Sequence, residues 1–224
     1  MVHAYPRTLV FDLDGTLVDT SADLCASLNH VLRLYARPEV DADTVRHLVG
    51  HGARALIQRG LALAGEDDPA LVEEAVPHFL RYYADNIAVG SRPYAGVEAA
   101  LDELADAGVV TAVCTNKPEA LARQLIGALG WERRFAAILG GDSLSVRKPD
   151  AAHVLGTIQA AGGAVGSSVF VGDSSVDVAA ARAAQVPVVV VSFGFADIAP
   201  AELGADAVID HYDALLPLLR SRRW

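Results

Sequence analysis

The sequence predicts an α/β fold, with a doubly wound, mostly parallel sheet as a Rossmann-like core and an inserted all-helical cap domain. Short apolar stretches alternate with amphipathic helical patterns after residue 96, as expected for a sheet covered by helices. The stretch between residues 19 and 92 shows helical patterns and no strand pattern. With 224 residues, 52% of them hydrophobic, the chain can bury one substantial core and a smaller attached domain. We expect the core at residues 1–18 and 93–224 and the cap at residues 19–92.

The first predicted strand, residues 8–12, is an apolar, β-branched run that ends in two acids, Asp12 and Asp14. Side chains two apart along a strand project the same way, so these carboxylates would repel each other unless a cation lay between them. Gly15 permits a sharp exit from the strand, and the Thr16 hydroxyl can fix the turn. The alternative, a solvated turn, fits poorly after a wholly apolar strand. The pattern therefore indicates a chemical site that holds a divalent cation.

The inserted segment is predicted to consist of helices. Apolar residues at helical spacing predict a helix over residues 24–35, with Thr20 or Ser21 as its cap and Pro38 beyond its end. Further helices are predicted at residues 45–49, 53–64 and 69–86. We expect Pro77 to kink or divide the last of these, because proline removes a backbone donor and crowds the preceding turn. Residues 90–96, rich in helix breakers, would return the chain to the core.

Helices and strands then alternate through the rest of the chain. Predicted helices are residues 97–107, 118–129, 150–161 and 175–184, and predicted strands are residues 109–115, 136–139, 169–172, 188–191 and 207–209. In open α/β sheets ligands bind beyond the carboxyl ends of the strands. Polar residues that follow these strands, or lie in a nearby loop, are Thr115, Asn116, Lys148, Asp173 and Asp177. Taken singly, each also fits an ordinary helix cap or a solvated surface charge.

Charge and composition restrict the expected partners. The formal net charge of −10 argues against nucleic acid and against anionic membranes, since both favour basic patches. The most apolar stretch, residues 187–191, is too short to span a bilayer. The chain has two cysteines, Cys25 and Cys114, without metal-ligand spacing, so neither a disulfide framework nor a zinc site is indicated. We expect a cytoplasmic protein, either a monomer or a homodimer.

The segment around Asp12 and Asp14 resembles the opening motif of the haloacid dehalogenase-like superfamily, in which the first Asp is the nucleophile and the second the general acid and base. The dehalogenases lack the second Asp, so Asp14 points to the phosphate-transferring branch. Residues 147–151 resemble the third motif, whose lysine is Lys148 here, although Ala151 replaces the usual proline. Residues 172–177 resemble the fourth motif, whose acids complete a magnesium site.

This resemblance implies a role for each matching residue. Expected roles are Asp12, Asp14 and Lys148 in catalysis; Thr115 and Asn116 in phosphate binding; Asp12, Asp14 and Asp173 as Mg²⁺ ligands; and Asp177 as a residue that orients a metal-bound water or Lys148. Asp12 would attack phosphorus, and Asp14 would first protonate the leaving alkoxide and then activate water. The implied function is hydrolysis of a small phosphate monoester through an aspartyl-phosphate intermediate.

Within the superfamily the resemblance is greatest to the phosphoglycolate phosphatases, through residues 9–20, 49–53, 114–118 and 140–142. It implies 2-phosphoglycolate as substrate. The alternatives are a phosphatase or phosphomutase for another small metabolite, such as a sugar phosphate or pyrophosphate. A phospho-accepting receiver module is a more remote alternative, because receivers are about half this length and their acceptor Asp follows a later strand.

A phosphorylated acid would require a second cation, which we expect the cap to supply. The turn formed by Gly50, His51 and Gly52 could bring a helix start over the site. Arg54 would lie in the first turn of that helix and could hold a carboxylate in a bidentate pair, with His51 as a weaker candidate. The alternative is a solvated arginine beside a turn.

Overall fold

The structure is a computed structural model that describes residues 5–65, 68–221 and 224. Its helices and strands, in chain order, are β1 (Thr8–Phe11), β2 (Val18–Asp19), α1 (Ser21–Leu34), α2 (Ala42–Arg46), α3 (Ala53–Leu63), α4 (Pro69–Asp85), β3 (Arg92–Pro93), α5 (Val97–Asp106), β4 (Val110–Cys114), α6 (Glu119–Ala128), β5 (Ala137–Leu139), α7 (Ala151–Ala160), β6 (Ser168–Gly172), α8 (Ser175–Ala183), β7 (Val188–Val191), β8 (Ala207–Ile209) and α9 (Leu215–Ser221). Short 3₁₀ helices occur at Val165–Ser167, Pro200–Glu202 and Tyr212–Ala214.

Six strands form one parallel sheet in the order β5-β4-β1-β6-β7-β8. Strand β1 lies between β4 and β6, and Phe11 at its end is in register with Val113 on one side and Val171 on the other. The carboxyl ends of these three strands therefore meet at one edge of the sheet. The predicted α/β fold with a Rossmann-like core is confirmed.

Both faces of the sheet are covered, and alternation along β1 shows how. Leu9 and Phe11 belong to the larger apolar core, which includes α5, α6 and α9. Val10 belongs to a second core, which packs against α7 and α8. Because neighbouring residues of a strand face opposite sides, burial of all three explains why the strand is apolar throughout.

Helices α1 to α4 lie between β2 and β3, and residues 20–91 are called the helical insertion below. The two short strands pair antiparallel, with Val18 opposite Pro93 and Asp19 opposite Arg92, so the chain leaves and re-enters the core at neighbouring points. Helix α1 packs against α2, α3 and α4, and α3 packs against α4. Within the described ranges, no helix is both long and apolar enough to cross a membrane.

Two local predictions need correction. The Thr20 side chain does not cap α1, and its hydroxyl is buried without a hydrogen-bond partner among the described residues. Instead Asp19 accepts hydrogen bonds from the Ser21 N–H (3.0 Å) and hydroxyl (2.6 Å), because a carboxylate is a stronger acceptor than a hydroxyl. Helix α4 is not divided at Pro77. Because Pro77 has no N–H, the Glu73 carbonyl lacks its partner within the helix. Both residues lie on the exposed side of α4, where water can replace the missing donor.

Candidate active site

The predicted nucleophile, Asp12, lies directly after β1 at the carboxyl edge of the sheet and is 7% exposed. Its N–H donates to the Val171 carbonyl of β6 at 2.9 Å, which extends the sheet pairing by one residue. One carboxylate oxygen, Oδ1, accepts a hydrogen bond from the Leu13 N–H at 2.7 Å and lies 3.0 Å from Lys148 Nζ. The side chain is thus held at the strand edge beside a cation.

Lys148 is buried between two carboxylates. Its Nζ lies 3.0 Å from Asp12 and 2.7 Å from Asp177. Burial opposes the charged form of Lys148, but these two carboxylates outweigh it and raise the pKa. The Lys148 ammonium therefore places a positive charge beside Asp12, the predicted nucleophile.

The backbone of Lys148 is also held on both sides. Asn116 donates a side-chain hydrogen bond to the Lys148 carbonyl at 3.0 Å, and the Lys148 N–H donates to His153 Nδ1 at 3.2 Å. Burial, followed by the charge of Lys148, lowers the pKa of His153 to about 4, so its ring is neutral and can accept this bond. His153 is a supporting residue that the sequence reasoning missed.

Three buried acids converge beside Lys148. Ligand atoms of Asp12, Asp173 and Asp177 lie within 4.8 Å of one another. Asp173 is oriented by the Thr16 hydroxyl (2.8 Å) and the Phe195 N–H (2.6 Å). Asp177 Oδ2 accepts hydrogen bonds from the backbone at the start of α8 and from the Ser174 hydroxyl, while its Oδ1 faces Lys148. Each carboxylate is fixed by contacts from a different part of the chain.

Electrostatics at this cluster favour binding of a cation. Burial raises the pKa of Asp12 to about 6, with Lys148 opposing the rise and Asp177 and Asp14 adding to it. Burial, followed by Asp177 and Asp12, raises the pKa of Asp173 well above its usual value. Three carboxylates share one lysine, and oxygen ligands of this kind suit a hard divalent metal ion. The residues present therefore fit a divalent metal ion, and the cluster contains two of the three predicted ligands, Asp12 and Asp173.

The turn after β1 leaves no room for a side chain at Gly15. Its φ is +82°, a left-handed conformation that favours glycine. A Cβ atom there would lie 2.3 Å from Asp173 Oδ2 and 2.9 Å from the Phe195 ring. Glycine therefore allows the turn to pass against the acid that follows β6.

Asp14 points to a different partner. Its two carboxylate oxygens lie 2.9 and 3.1 Å from Nζ of Lys117, a residue that follows β4. The Asp14 carboxylate lies outside the three-acid cluster found among the described residues, and a role for Asp14 as a metal ligand stays a prediction. Burial opposes the charged form of Lys117, but Asp14 and Tyr83 outweigh it and raise the pKa. Lys117 was not among the site residues predicted from the sequence.

Thr115 and Asn116 are buried at the carboxyl end of β4, as the strand pattern predicted. The Thr115 hydroxyl accepts a hydrogen bond from the Lys117 N–H at 3.3 Å and keeps its own hydrogen for another acceptor. The Asn116 amide donates to two carbonyls, those of Lys148 and Gly50, each at 3.0 Å. In this arrangement the Asn116 side chain connects the helical insertion to the core, with both of its amide hydrogens engaged, and phosphate binding by Asn116 stays a prediction.

The two predicted cap residues do not line the cavity beside Asp12. Arg54 pairs with Glu73 at 2.5 Å within the helical insertion, where both side chains are about half exposed. The cavity beside Asp12 is lined by other residues, namely Asp12, Asp14, Leu24, Val49, Gly50, Gly52, Ala53, Leu56, Phe79, Leu80, Tyr83, Thr115, Asn116, Lys117, Pro118 and Leu121. His51 lines a separate groove with Arg59, Arg147 and Lys148. The structure thus gives no support to carboxylate binding by Arg54 or His51.

A buried aspartate at the end of the central strand, a lysine beside it and an acidic cluster define a hydrolase of the haloacid dehalogenase-like class. The profile of the haloacid dehalogenase-like hydrolase family matches residues 9–191, and the chain belongs to this family. The predicted resemblance to the superfamily is therefore confirmed.

More specific similarity points to one group within the family. The chain is 49% identical over 211 residues to a phosphoglycolate phosphatase of Agrobacterium fabrum, covering 94% of this chain and 91% of the relative. It is 46% identical over 215 residues to a phosphoglycolate phosphatase of Mesorhizobium japonicum, covering 96% and 95%. A crystal structure of a predicted phosphoglycolate phosphatase from Haemophilus somnus superposes with a TM-score of 0.90 at 31% identity, covering 97% of this chain and 99% of that one.

Proposed function

We propose that this protein hydrolyses 2-phosphoglycolate through an aspartyl phosphate formed on Asp12, with Mg²⁺ as its cofactor. The observation that supports the proposal most directly is the position of the Asp12 carboxylate beside Lys148 and in one cluster with Asp173 and Asp177. Relatives of 49% and 46% identity named phosphoglycolate phosphatase cover more than nine-tenths of the chain and support this substrate. In this proposal residues 19–92 act as a cap domain on a core of residues 1–18 and 93–224.

In the first half-reaction Asp12 attacks phosphorus in line with the leaving oxygen. Lys148, 3.0 Å from Asp12, offsets negative charge on the transferring group, and the Thr115 hydroxyl can donate to a phosphoryl oxygen. Asp12 and Asp173 would hold Mg²⁺, which would supply further positive charge and lower the repulsion between the phosphate and the nucleophile. Asp177 positions Lys148, because its Oδ1 accepts a hydrogen bond from Lys148 Nζ at 2.7 Å. Asp14 protonates the leaving alkoxide as the P–O bond breaks.

In the second half-reaction water attacks the phosphorus of the aspartyl phosphate. Asp14, now ionised, takes a proton from that water, and the Asp12–phosphate bond breaks to release inorganic phosphate. Asp14 lines the same cavity as Asp12, which is the requirement for both proton transfers. One carboxylate can thus serve as acid and base in turn.

The surroundings of the cavity favour a small substrate. Helices α3 and α4 form its wall opposite the sheet edge, largely with apolar side chains such as Leu56, Phe79 and Leu80. Such a wall excludes water from the phosphoryl group and leaves few polar groups to recognise a sugar. We further propose a cytoplasmic enzyme, monomeric or homodimeric, that acts on a small phosphorylated metabolite. The free, buried cysteines Cys25 and Cys114 are consistent with a reducing compartment.

A substrate panel tests this function. Purified protein with Mg²⁺ should release phosphate over many turnovers, with the highest kcat/KM for 2-phosphoglycolate among 2-phosphoglycolate, p-nitrophenyl phosphate, hexose phosphates and pyrophosphate. Chelation of the metal should stop the reaction, and Mg²⁺ should restore it. A clear preference for a hexose phosphate or pyrophosphate would overturn the substrate. Stoichiometric phosphorylation without turnover would overturn the enzymatic proposal itself.

A further inference from the structure

Lys117 lies at the centre of a buried polar chain that crosses from the core to the helical insertion. Its Nζ contacts both carboxylate oxygens of Asp14, at 2.9 and 3.1 Å, and the Tyr83 hydroxyl at 2.6 Å. The same ammonium lies 4.3 Å from the centroid of the Tyr83 ring. The exposed fractions of the side chains are 3% for Lys117 and 12% for Asp14. The three N–H donors of the Lys117 ammonium are thus matched by three acceptor oxygens, two of Asp14 and one of Tyr83.

Asp14 depends on this lysine for its orientation. Its carboxylate accepts hydrogen bonds from Lys117 and from no other group within residues 5–65 and 68–221. The two lysines of the site pair with different acids. Lys148 pairs with Asp12 and Asp177, whereas Lys117 pairs with Asp14. Each Asp14 oxygen retains an acceptor position directed away from Lys117.

Tyr83 in turn fixes the lysine from the other side of the cavity. It lies on α4, is 1% exposed and stacks against Phe79 of the same helix, with ring centroids 6.1 Å apart. An ammonium on a flexible stem has many rotamers, and a hydrogen bond combined with an aromatic face restricts them. Because α4 belongs to the helical insertion and Lys117 to the core, this contact exists only while the insertion is docked.

We propose that Lys117 and Tyr83 are positioning residues for Asp14, so that docking of the helical insertion completes the acid–base site. This inference rests on the proposed function. Tyr83 holds Lys117, and Lys117 holds the Asp14 carboxylate toward the leaving oxygen, which receives the Asp14 proton as its bond to phosphorus breaks. Neither residue exchanges a proton with the substrate.

The test is the dependence of kcat/KM on the leaving group. For a series of aryl phosphates, kcat/KM reports steps through the first phosphoryl transfer, in which poor leaving groups require the Asp14 proton and good ones do not. Tyr83→Phe keeps the ring and removes the hydroxyl. This variant should lower kcat/KM about tenfold for the poorest leaving group, which is the scale of one lost hydrogen bond. For p-nitrophenyl phosphate the decrease should be less than about twofold.

Two further variants complete the experiment. Lys117→Gln should lower kcat/KM for the poorest leaving group by at least about a hundredfold, because both Lys117 contacts that orient Asp14 are lost. Tyr82→Phe, one position away on α4 and stacked on His30, should leave the dependence unchanged. Equal losses for all leaving groups, or no loss in Tyr83→Phe, would overturn the positioning role while the wild-type protein remained a phosphatase. A wild-type protein without turnover would instead overturn the proposed function.

Discussion

The two walls of the cavity differ in kind. On the core wall, Asp173 and Asp177 are buried, and each is held by several hydrogen bonds. The wall from the helical insertion is largely apolar, and Tyr83 contributes a hydroxyl to it. In the proposed mechanism the reacting groups therefore lie at the sheet edge, while the insertion excludes water and orients Asp14. Substitutions in the core should change the chemistry, and substitutions in the insertion should mainly change stability or positioning.

The largest expected effect is that of Asp12→Asn. An amide is nearly isosteric with the carboxylate but a poor nucleophile, so kcat should fall by at least about a thousandfold. Circular dichroism should show an intact fold, because the sheet register at Asp12 depends on its backbone N–H. Steady-state phosphate release and a melting curve measure both. Retention of more than about a thousandth of the wild-type rate would contradict the nucleophile assignment.

The second prediction is that a divalent cation stabilises the protein by binding to the acids of the core wall. A saturating divalent cation, at about 100 times its Kd, would stabilise the folded protein by about 2.7 kcal/mol and raise Tm by about 5–10 °C. Asp173→Asn should reduce this shift to less than about 2 °C, because a neutral amide replaces one of three acids in the cluster.

The matched control for that experiment is Asp213→Asn, which removes the same charge from a side chain that is 81% exposed. Its Tm should rise with Mg²⁺ as in the wild type. Differential scanning fluorimetry with and without Mg²⁺ measures all three proteins. An Mg²⁺ shift in Asp173→Asn equal to that of the wild type would place the metal elsewhere.

The core wall could be predicted from the sequence because its signals are local. The apolar run of β1 ends where Asp12 begins, and β6 ends just before Asp173. Since parallel strands end at a common edge, the position of each acid along its own strand predicts their proximity. The error in strand ends was small, since residues 8–12 were expected and Thr8–Phe11 is observed.

Interactions between the two walls could not be predicted in the same way. Lys117 and Tyr83 are 34 positions apart, and their contact depends on how α4 packs over the sheet edge. Tyr83 lies four residues after Phe79, a spacing that indicates a core aromatic rather than a functional one. Lys117 did have a signal, because it follows β4 together with Thr115 and Asn116. The paired strands β2 and β3 have two residues each, too few for a periodic pattern.

The junction between the insertion and the core should show an intermediate effect. Asp23, on the first turn of α1 and 4% exposed, accepts hydrogen bonds from the Gly90 N–H, the Ser91 N–H and the Ser91 hydroxyl at 2.7, 2.7 and 2.5 Å. Asp23→Ala would leave these donors without their acceptor and should lower the free energy of unfolding by about 3 kcal/mol. Urea denaturation measures the change.

The control is Asp43→Ala, which removes an exposed acid from the first turn of α2 and should cost less than about 1 kcal/mol. If Asp23→Ala were no more destabilising than this variant, the hydrogen bonds of Asp23 would not hold the return segment. The insertion would then be joined to the core chiefly by its apolar packing.

The smallest expected effect is that of Arg54→Ala, and it tests the comparison of the two walls most directly. The sequence predicted that Arg54 binds the substrate carboxylate, but the arginine pairs with Glu73 on the outer surface of the insertion, and the exposed fractions are 49% and 62%. An exposed ion pair of this kind contributes less than about 1 kcal/mol. We therefore expect kcat/KM for 2-phosphoglycolate to change by less than about twofold, with Glu73→Gln giving the same result. A loss of about tenfold or more for 2-phosphoglycolate, with p-nitrophenyl phosphate unaffected and Glu73→Gln neutral, would mean that Arg54 leaves Glu73 to bind the substrate. In that case the insertion would supply a recognition charge, and the contrast between a chemical core and an apolar, positioning insertion would fail.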